Sequence, residues 1–314
     1  MTPLGFQAFE LPDMGRPGAI LRPMTALSLV LVLLSAVAHA SWNLMLKRAG
    51  DPEVFAWIML VVGSILLAPV GLALLWYNSM DFPGLWFLLA SVVLHVFYFM
   101  LLARGYAIGD LSLVYPVARG MGPMLVPVLA VILLGEIVET MAIVGIAAIV
   151  GGIYTISWWG NFHQVLRSPL LFLKSAGMRY AVLTGLTIAV YSIVDKEGVG
   201  HIQPLLYIYF MFIGTVVLLA PYILANKGME TVKAEWRSNA VPITVSGLLA
   251  FAAYGLVLTA FSLSRVSYVA PAREVGIVIG VLMGIFLLKE PFGRGRLLGS
   301  GLIVGGLVLI AFSG

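Results

Sequence analysis

The chain of 314 residues contains no cysteine, which excludes disulfides, thiolate metal sites and thiol nucleophiles. Charged residues are also scarce, at 10% against roughly 25% in soluble globular domains, while hydrophobic residues reach 61%. The four histidines show no metal-ligand spacing, and the sequence has no HExxH motif, no glycine-rich nucleotide loop and no paired aspartates inside an apolar run. We therefore predict an integral membrane protein that is not an enzyme and uses no metal or other cofactor.

Basic residues exceed acidic ones only slightly, giving a formal net charge of +4. In a membrane protein this surplus mainly reflects loop charges that orient the chain, so it does not predict nucleic-acid binding. At the N-terminus, residues 1–23 are rich in proline and lack the basic segment and apolar core of a signal peptide. We expect a mobile tail there, with Met24 as a candidate start of the native chain.

Long apolar runs make up most of the remaining sequence. A helix needs about 20 predominantly apolar residues to cross a bilayer, and ten runs approach this length. The predicted spans lie near residues 26–46, 54–77, 84–103, 113–135, 140–159, 180–196, 202–225, 240–264, 267–288 and 297–313. The connections are short except for residues 160–179 and 226–240, and the first of these falls almost at the midpoint of the chain.

The two halves of the chain are similar to each other. An offset of 154 residues aligns Arg119 with Arg273, Gly122 with Gly276, Glu136 with Glu290, Gly145 with Gly299, and AIVGGI with LIVGGL. We predict a tail at 1–23, a first five-helix repeat at 24–160, an inter-repeat loop at 161–178 and a second five-helix repeat at 179–314. An odd number of spans per repeat makes the second copy enter the membrane from the opposite side.

The predicted fold is therefore an all-α membrane protein with ten transmembrane helices in two inverted five-helix repeats. Such repeats occur in transporters, where the substrate site lies near the bilayer midplane between the repeats. The alternative is a duplicated scaffold that transports nothing.

Three charged residues fall well inside predicted spans: Arg119, Arg273 and Glu274. An ion costs on the order of 3 kcal/mol at the bilayer centre, so such residues normally face a cavity or a partner. Both arginines stand between a proline and a glycine at corresponding positions of the two repeats, which is typical of binding sites in this architecture. A guanidinium there can hold a carboxylate or phosphate-like group. Alternatively, the arginines pair with Glu274, Asp195 or backbone carbonyls and lock the repeats together.

Other polar and aromatic side chains also interrupt the apolar runs. His39 and Asn43 share a helix face beside Trp42, and His95 and Tyr98 do the same in the third span. Tyrosines inside the spans can form the walls around an organic solute. The further candidates for substrate binding are Tyr115, Tyr191 and Tyr254. The alternative for each residue is a helix-to-helix contact worth about 0.6 kcal/mol.

Glu274 and Asp195 are the only acidic residues in or at the edge of the spans, and they are the candidates for binding a coupling proton. The competing interpretation of Glu274 is a permanent partner of an arginine.

The chain resembles the drug/metabolite transporters, specifically the ten-helix type with two EamA domains. The resemblance covers roughly residues 24–313 and is carried by HASWNLMLKR at 39–48, LGE at 134–136, its counterpart LKEP at 288–291, and the glycine-bearing fifth and tenth spans. Similar members export amino acids, nucleotide precursors and other metabolites, and eukaryotic relatives exchange sugar phosphates or nucleotide sugars. Small four-helix relatives use a glutamate in helix 1 for proton-coupled drug export, and the first span here has none.

Together, these features predict a secondary transporter in the inner (plasma) membrane that exports a small anionic or zwitterionic metabolite, such as an amino acid or related acid. The metabolite is expected to cross through a central cavity between the repeats by alternating access. Two arginines against one glutamate favour such a solute. The alternatives are an exporter of aromatic or cationic drug-like compounds and, from another class, an intramembrane enzyme or lipid scramblase. The expected partners are this solute, membrane lipid and a coupling proton, and the oligomeric state is left open.

The orientation in the membrane is predicted differently by charge and by resemblance. The tail and even-numbered loops hold Arg16, Arg22, Lys196 and Arg265, and the other loop lysines and arginines lie in odd-numbered loops. The positive-inside rule then predicts both termini outside. Ten-helix members of the family are usually drawn with both termini inside.

Overall fold

The structure is a computed structural model that describes residues 24–108, 111–159, 175–288 and 293–313, apart from the side chains at 47, 103, 106–108, 111–116, 284, 287 and 288. The predicted tail and most of the predicted inter-repeat loop lie outside these residues. All secondary structure in the described ranges is helical. The helices are α1 (Ala26–Lys47), α2 (Pro52–Leu66), α3 (Ala68–Tyr77), α4 (Phe82–Ile108), α5 (Leu111–Leu134), α6 (Thr140–Trp158), α7 (Ala176–Gly198), α8 (Pro204–Asn226), α9 (Gly228–Leu263), α10 (Val266–Ala272), α11 (Val275–Leu288) and α12 (Arg294–Ala311).

The predicted ten-span membrane fold is confirmed. Within the described ranges, nine helical segments are long and apolar enough to cross a bilayer, and α2 with α3 makes a tenth when the bent pair is taken as one span. The bend between α2 and α3 is 57°, where the sequence predicted one span at 54–77. Pro69 opens α3, and a proline ring clashes with the preceding turn and cannot donate a hydrogen bond to it.

The two arginine-bearing segments differ in backbone. The ninth span, predicted as one helix, breaks at Arg273 and Glu274 between α10 and α11, after Pro271 inside α10. Its counterpart α5 runs without a break past Arg119. The repeats therefore carry the same arginine on different backbones, one at a helix break and one on a continuous helix.

The connection at 226–240 is mostly helical and is not a loop as predicted. Helix α9 starts at Gly228 and includes Asn239, whose φ of −132° and ψ of 24° mark a kink between two merged helices. Good helix formers (Met, Glu, Lys, Arg and Ala) make up eight of the fifteen residues at 226–240. This part of α9 contacts the α1–α2 connection. The Glu235 carboxylate accepts hydrogen bonds from the backbone N–H groups of Gly50 and Asp51.

Helices of the two repeats pack on one another in matching pairs. Helix α1 packs on α9, α4 packs on α7, and α6 packs on α12. At the last interface, a Cβ atom added at Gly152 would lie 2.6 Å from the carbonyl oxygen of Gly299, whereas one added at Gly151 meets nothing within 4 Å. The other contacts between the repeats involve α1, α4, α5, α7, α9 and the α10–α11 break.

Candidate functional site

A buried ion pair joins the two repeats. The Nη2 atom of Arg119 on α5 lies 2.9 Å from Oε2 of Glu274 at the α10–α11 break, with side chains 10% and 1% exposed. Because α5 belongs to the first half of the chain and the break to the second, this pair crosses between the repeats. It matches the locking alternative that the sequence left open for Arg119.

Arg273 has a looser contact with the same carboxylate. Its Nε atom lies 3.6 Å from Oε1 of Glu274, and among the described residues that Nε has no hydrogen-bond partner. The side chain is only 5% exposed. Two guanidinium groups thus share one carboxylate in a buried region, which leaves one positive charge in excess at the break among the described residues.

His39 on α1 lies between two hydrogen-bond donors. The indole Nε1 of Trp42 donates to His39 Nδ1 at 3.3 Å, and Nη1 of Arg119 lies 3.4 Å from His39 Nε2. A neutral imidazole has one N–H and one lone pair, so it can accept only one of these bonds. In either tautomer, the N–H of the ring faces another donor. Asn43 donates to the backbone carbonyl of His39 at 2.7 Å, within its own helix.

Four aromatic rings form a second cluster beside the arginines. The His95 ring lies 4.5 Å from Tyr191 and 5.5 Å from Tyr254, measured between ring centroids, and Tyr98 lies 5.7 Å from Tyr191. All four side chains are buried. Arg273 interacts electrostatically with Tyr191 and Tyr254, so the aromatic cluster adjoins the charged one. The side chain of Tyr115 lies outside the described residues.

Asp195 is the buried acid of the aromatic cluster. Asp195 is 0% exposed. One of its carboxylate oxygens accepts a hydrogen bond from the Tyr254 hydroxyl, and the other accepts one from the Tyr207 hydroxyl at 2.9 Å. The sequence did not suggest Tyr207, because it lies near the start of the predicted seventh span, where tyrosines usually mark the membrane interface. Its polar partner could be identified only from tertiary contacts.

Metal binding has no support in the described part of the chain, where no group of three or more His, Asp or Glu side chains is arranged to hold an ion. The site instead combines two arginines, one shared carboxylate, an aromatic wall and a separate buried acid. Such an arrangement suits the binding of a small polar organic molecule.

The fold and the buried charges between its repeats define a multi-pass membrane protein of the inverted-repeat type. The model of the EamA-like transporter family matches residues 26–158 and again 175–312. The chain belongs to this family, which confirms the resemblance to drug/metabolite transporters with two EamA domains. It is accordingly a membrane transporter of small molecules.

Known structures agree with this fold. One crystal structure of a protein superposes with a TM-score of 0.69 at 14% sequence identity, over 90% of this chain and 98% of that chain. At this identity the likeness concerns the fold alone. No curated protein matches the chain.

Proposed function

We propose that this chain is a secondary transporter of the inner (plasma) membrane that exports a small organic anion or zwitterion, such as an amino acid or a related acid. The solute crosses by alternating access through the region between the repeats. Its acidic group binds at the α10–α11 break, and its organic part contacts the rings of Tyr98, Tyr191 and Tyr254.

The excess guanidinium at the break carries this proposal. Oε2 of Glu274 lies 2.9 Å from Arg119 without hydrogen-bond alignment, and Oε1 lies 3.6 Å from Arg273, so the carboxylate forms its closer ion pair with Arg119. Burying a cation without a close counter-ion is costly, and a solute carboxylate would remove that cost by binding Arg273 through two parallel N–H bonds. In this arrangement Arg119 positions Glu274, and Arg273 contacts the solute.

The hydrogen-bond donors around His39 also favour an anionic group on the solute. An N–H of the ring faces either Arg119 or Trp42, both of which are donors. A carboxylate oxygen between His39 and Arg119 would accept from both. The alternative solute class, aromatic or drug-like cations, is favoured only by Asp195 beside the aromatic rings, and both oxygens of Asp195 already accept tyrosine hydroxyls.

The test is solute flux into proteoliposomes that contain only this protein. Labelled L-glutamate, L-threonine, L-phenylalanine and succinate represent acids and zwitterions, ethidium represents cationic drugs, and a fluorescent phospholipid reports scrambling. We expect flux of at least one acid or zwitterion, with strong loss in Arg273→Gln and parental flux in Arg237→Gln, which removes an exposed arginine. Flux of ethidium alone, lipid scrambling alone, or movement of none of the acids would overturn the proposal.

A further inference from the structure

Asp195 differs from the other buried acid in its partners. Glu274 lies against two guanidinium groups, whereas Asp195 forms no ion pair with any described residue and accepts only from the hydroxyls of Tyr207 and Tyr254. A buried carboxylate whose donors are all neutral is costly to keep ionised. Its protonated form can keep the same neighbours.

Among the described residues, no cation lies within ion-pair distance of this acid. On its own helix, the Lys196 amine donates away from Asp195, to the carbonyls of Phe261 and Ser264. From α5, Arg119 pairs with Glu274. From α4, His95 Nδ1 lies 2.9 Å from the Ser91 carbonyl, so this nitrogen must carry the proton that it donates. The tyrosines that face Asp195 are Tyr207 on α8, Tyr254 on α9 and Tyr191 on α7. Arg273 at the break interacts with Tyr191 and Tyr254.

The hydroxyl of Tyr207 shows how an extra proton fits. It lies 2.9 Å from Asp195 Oδ1 and 3.1 Å from the backbone carbonyl oxygen of Phe87 on α4. One hydroxyl proton cannot fully serve two acceptors. When Asp195 binds a proton at Oδ1, the new O–H donates to the Tyr207 oxygen. The Tyr207 hydroxyl keeps its own proton and donates it to the Phe87 carbonyl instead. Every donor then has one acceptor, and α8 of the second repeat is tied to α4 of the first.

The charges of the two adjoining clusters set the direction of coupling. With Asp195 ionised, the charges of Arg119, Arg273, Glu274 and Asp195 sum to zero. With Asp195 protonated, the sum is one positive charge, which favours an anion at Arg273. By linkage, the anion favours the proton to the same degree.

We propose that Asp195, held by Tyr207 and Tyr254, is a proton-binding site that makes this protein carry its organic anion together with a proton in the same direction. The inference rests on the proposed function. The proton comes from water on one side, adds to Oδ1 as an O–H bond, and leaves to water on the other side, and no other covalent bond changes. An acid that accumulates in the cell then takes a proton out as it leaves down its own gradient.

The proton site is tested without any solute, by infrared difference spectra of the purified protein between acidic and alkaline pH. Beside the band of the exposed carboxyl groups, we expect a separate carbonyl-stretch band of a protonated carboxyl group that is shielded from water in the parent. It should disappear in Asp195→Asn, persist in Asp81→Asn, which removes an exposed aspartate, persist in Glu274→Gln, and shift in Tyr207→Phe. If this band survives in Asp195→Asn, or is lost in Glu274→Gln, the assignment to Asp195 is overturned.

Circular dichroism first establishes that each variant is folded. If Asp195→Asn is not folded, Asp195→Glu takes its place, and the carboxyl band of Asp195→Glu should differ in frequency from that of the parent. Because this measurement needs no flux, it can succeed even if the proposed function fails.

The direction of coupling is tested in proteoliposomes with trapped pyranine and the acid identified by the flux panel. An outward gradient of that acid should make the lumen more alkaline in the parent. In Asp195→Asn, the alkalinisation per molecule of labelled acid released should fall to near zero, whatever the rate of acid release. Acidification of the lumen, or alkalinisation of parental size in Asp195→Asn, would overturn symport through this residue.

Discussion

Glu136, which follows α5 in the first repeat, binds the start of α10 in the second through Ser267. Its carboxylate accepts from the backbone N–H groups of Val266 and Ser267, at 2.9 and 3.0 Å, and from the Ser267 hydroxyl. An anion at a helix N-terminus satisfies amides that have no partner within the helix. This contact fixes α10 seven residues before Arg273, and thereby connects one end of the molecule with the site.

Loss of that contact should loosen the end of the molecule where α10 begins. Since hydrogen bonds to charged groups contribute roughly 1.5–3 kcal/mol, we expect Glu136→Ala to lower the thermal unfolding temperature more than Glu139→Ala, which removes an exposed carboxylate nearby. The chain has no cysteine, so a single Ser264→Cys reports access to the buried connection. Its thiol should react faster with a maleimide in the Glu136→Ala background; equal rates would argue against a clamp.

The two arginines should differ when they are replaced. Arg273→Gln should weaken binding of the transported acid by roughly 1.5–3 kcal/mol, or about 10- to 150-fold in Kd, with little change in thermal stability. Arg119→Gln should lower both the affinity for the acid and the thermal stability, because it leaves Glu274 buried with only the 3.6 Å contact to Arg273. Lysine at 273 should rescue poorly, since an ammonium lacks the fork geometry. Binding assays and melting curves on the same preparations decide this, and unchanged binding in both variants would remove the arginines from the site.

The glycine pairs of α6 and α12 provide a matched comparison. Gly152→Ala places a methyl group 2.6 Å from the Gly299 carbonyl oxygen, so we expect a loss of about 1–3 kcal/mol from overpacking. Gly151→Ala faces open space and should be neutral or stabilising by up to about 1 kcal/mol. Unfolding in detergent measures both. Equal destabilisation would mean that α6 and α12 do not pack through this face.

Lys227, between α8 and α9, should make stability depend on alkaline pH. Burial opposes its charge, but the hydrogen bond to Asp51 and the attraction of Glu53 and Asp51 outweigh burial and raise the pKa of Lys227. A raised pKa stabilises the fold fully below about pH 10.4, the ordinary lysine value, and this contribution is lost as pH rises through the higher folded value. The pair is partly exposed, so the effect is at most about 1 kcal/mol.

The measurement is the unfolding temperature from neutral to strongly alkaline pH. Lys227→Met should flatten the alkaline decline, and Lys233→Met, which removes a half-exposed lysine, should not. A parallel decline in the parent and Lys227→Met would exclude Lys227 as the source.

The charge count predicts that both termini lie outside the cytoplasm. A reporter that is active only in the cytoplasm, fused after Gly314, should stay inactive because the positive-inside rule places the termini outside. Activity would mean that the basic odd-numbered loops are on the outer side, where they would attract anions toward the site. A second fusion between residues 160 and 174 should give the opposite signal in either case, because five predicted spans separate it from the C-terminus.

The sequence by itself determined the membrane class, the ten spans and the internal repeat, because long apolar runs and repeated glycines do not depend on how helices meet. It also marked Arg119, Arg273 and Glu274, since charge is costly inside an apolar span. Tertiary structure decided what these residues do. The break at Arg273 turns Glu274 toward Arg119 on another helix, and no spacing along the chain encodes a partner 155 residues away.

Other decisions also depended on how the helices are rotated and bent. Adjacent residues point about 100° apart on a helix, so the Gly151-Gly152 pair could be recognised, while the member that contacts α12 could not. The same holds for Tyr207, whose position along the span resembled a membrane-interface residue until the packing of α8 on α4 brought its hydroxyl to Asp195. The sequence therefore fixes which residues are costly to bury, and the packing of the two repeats fixes which of them meet.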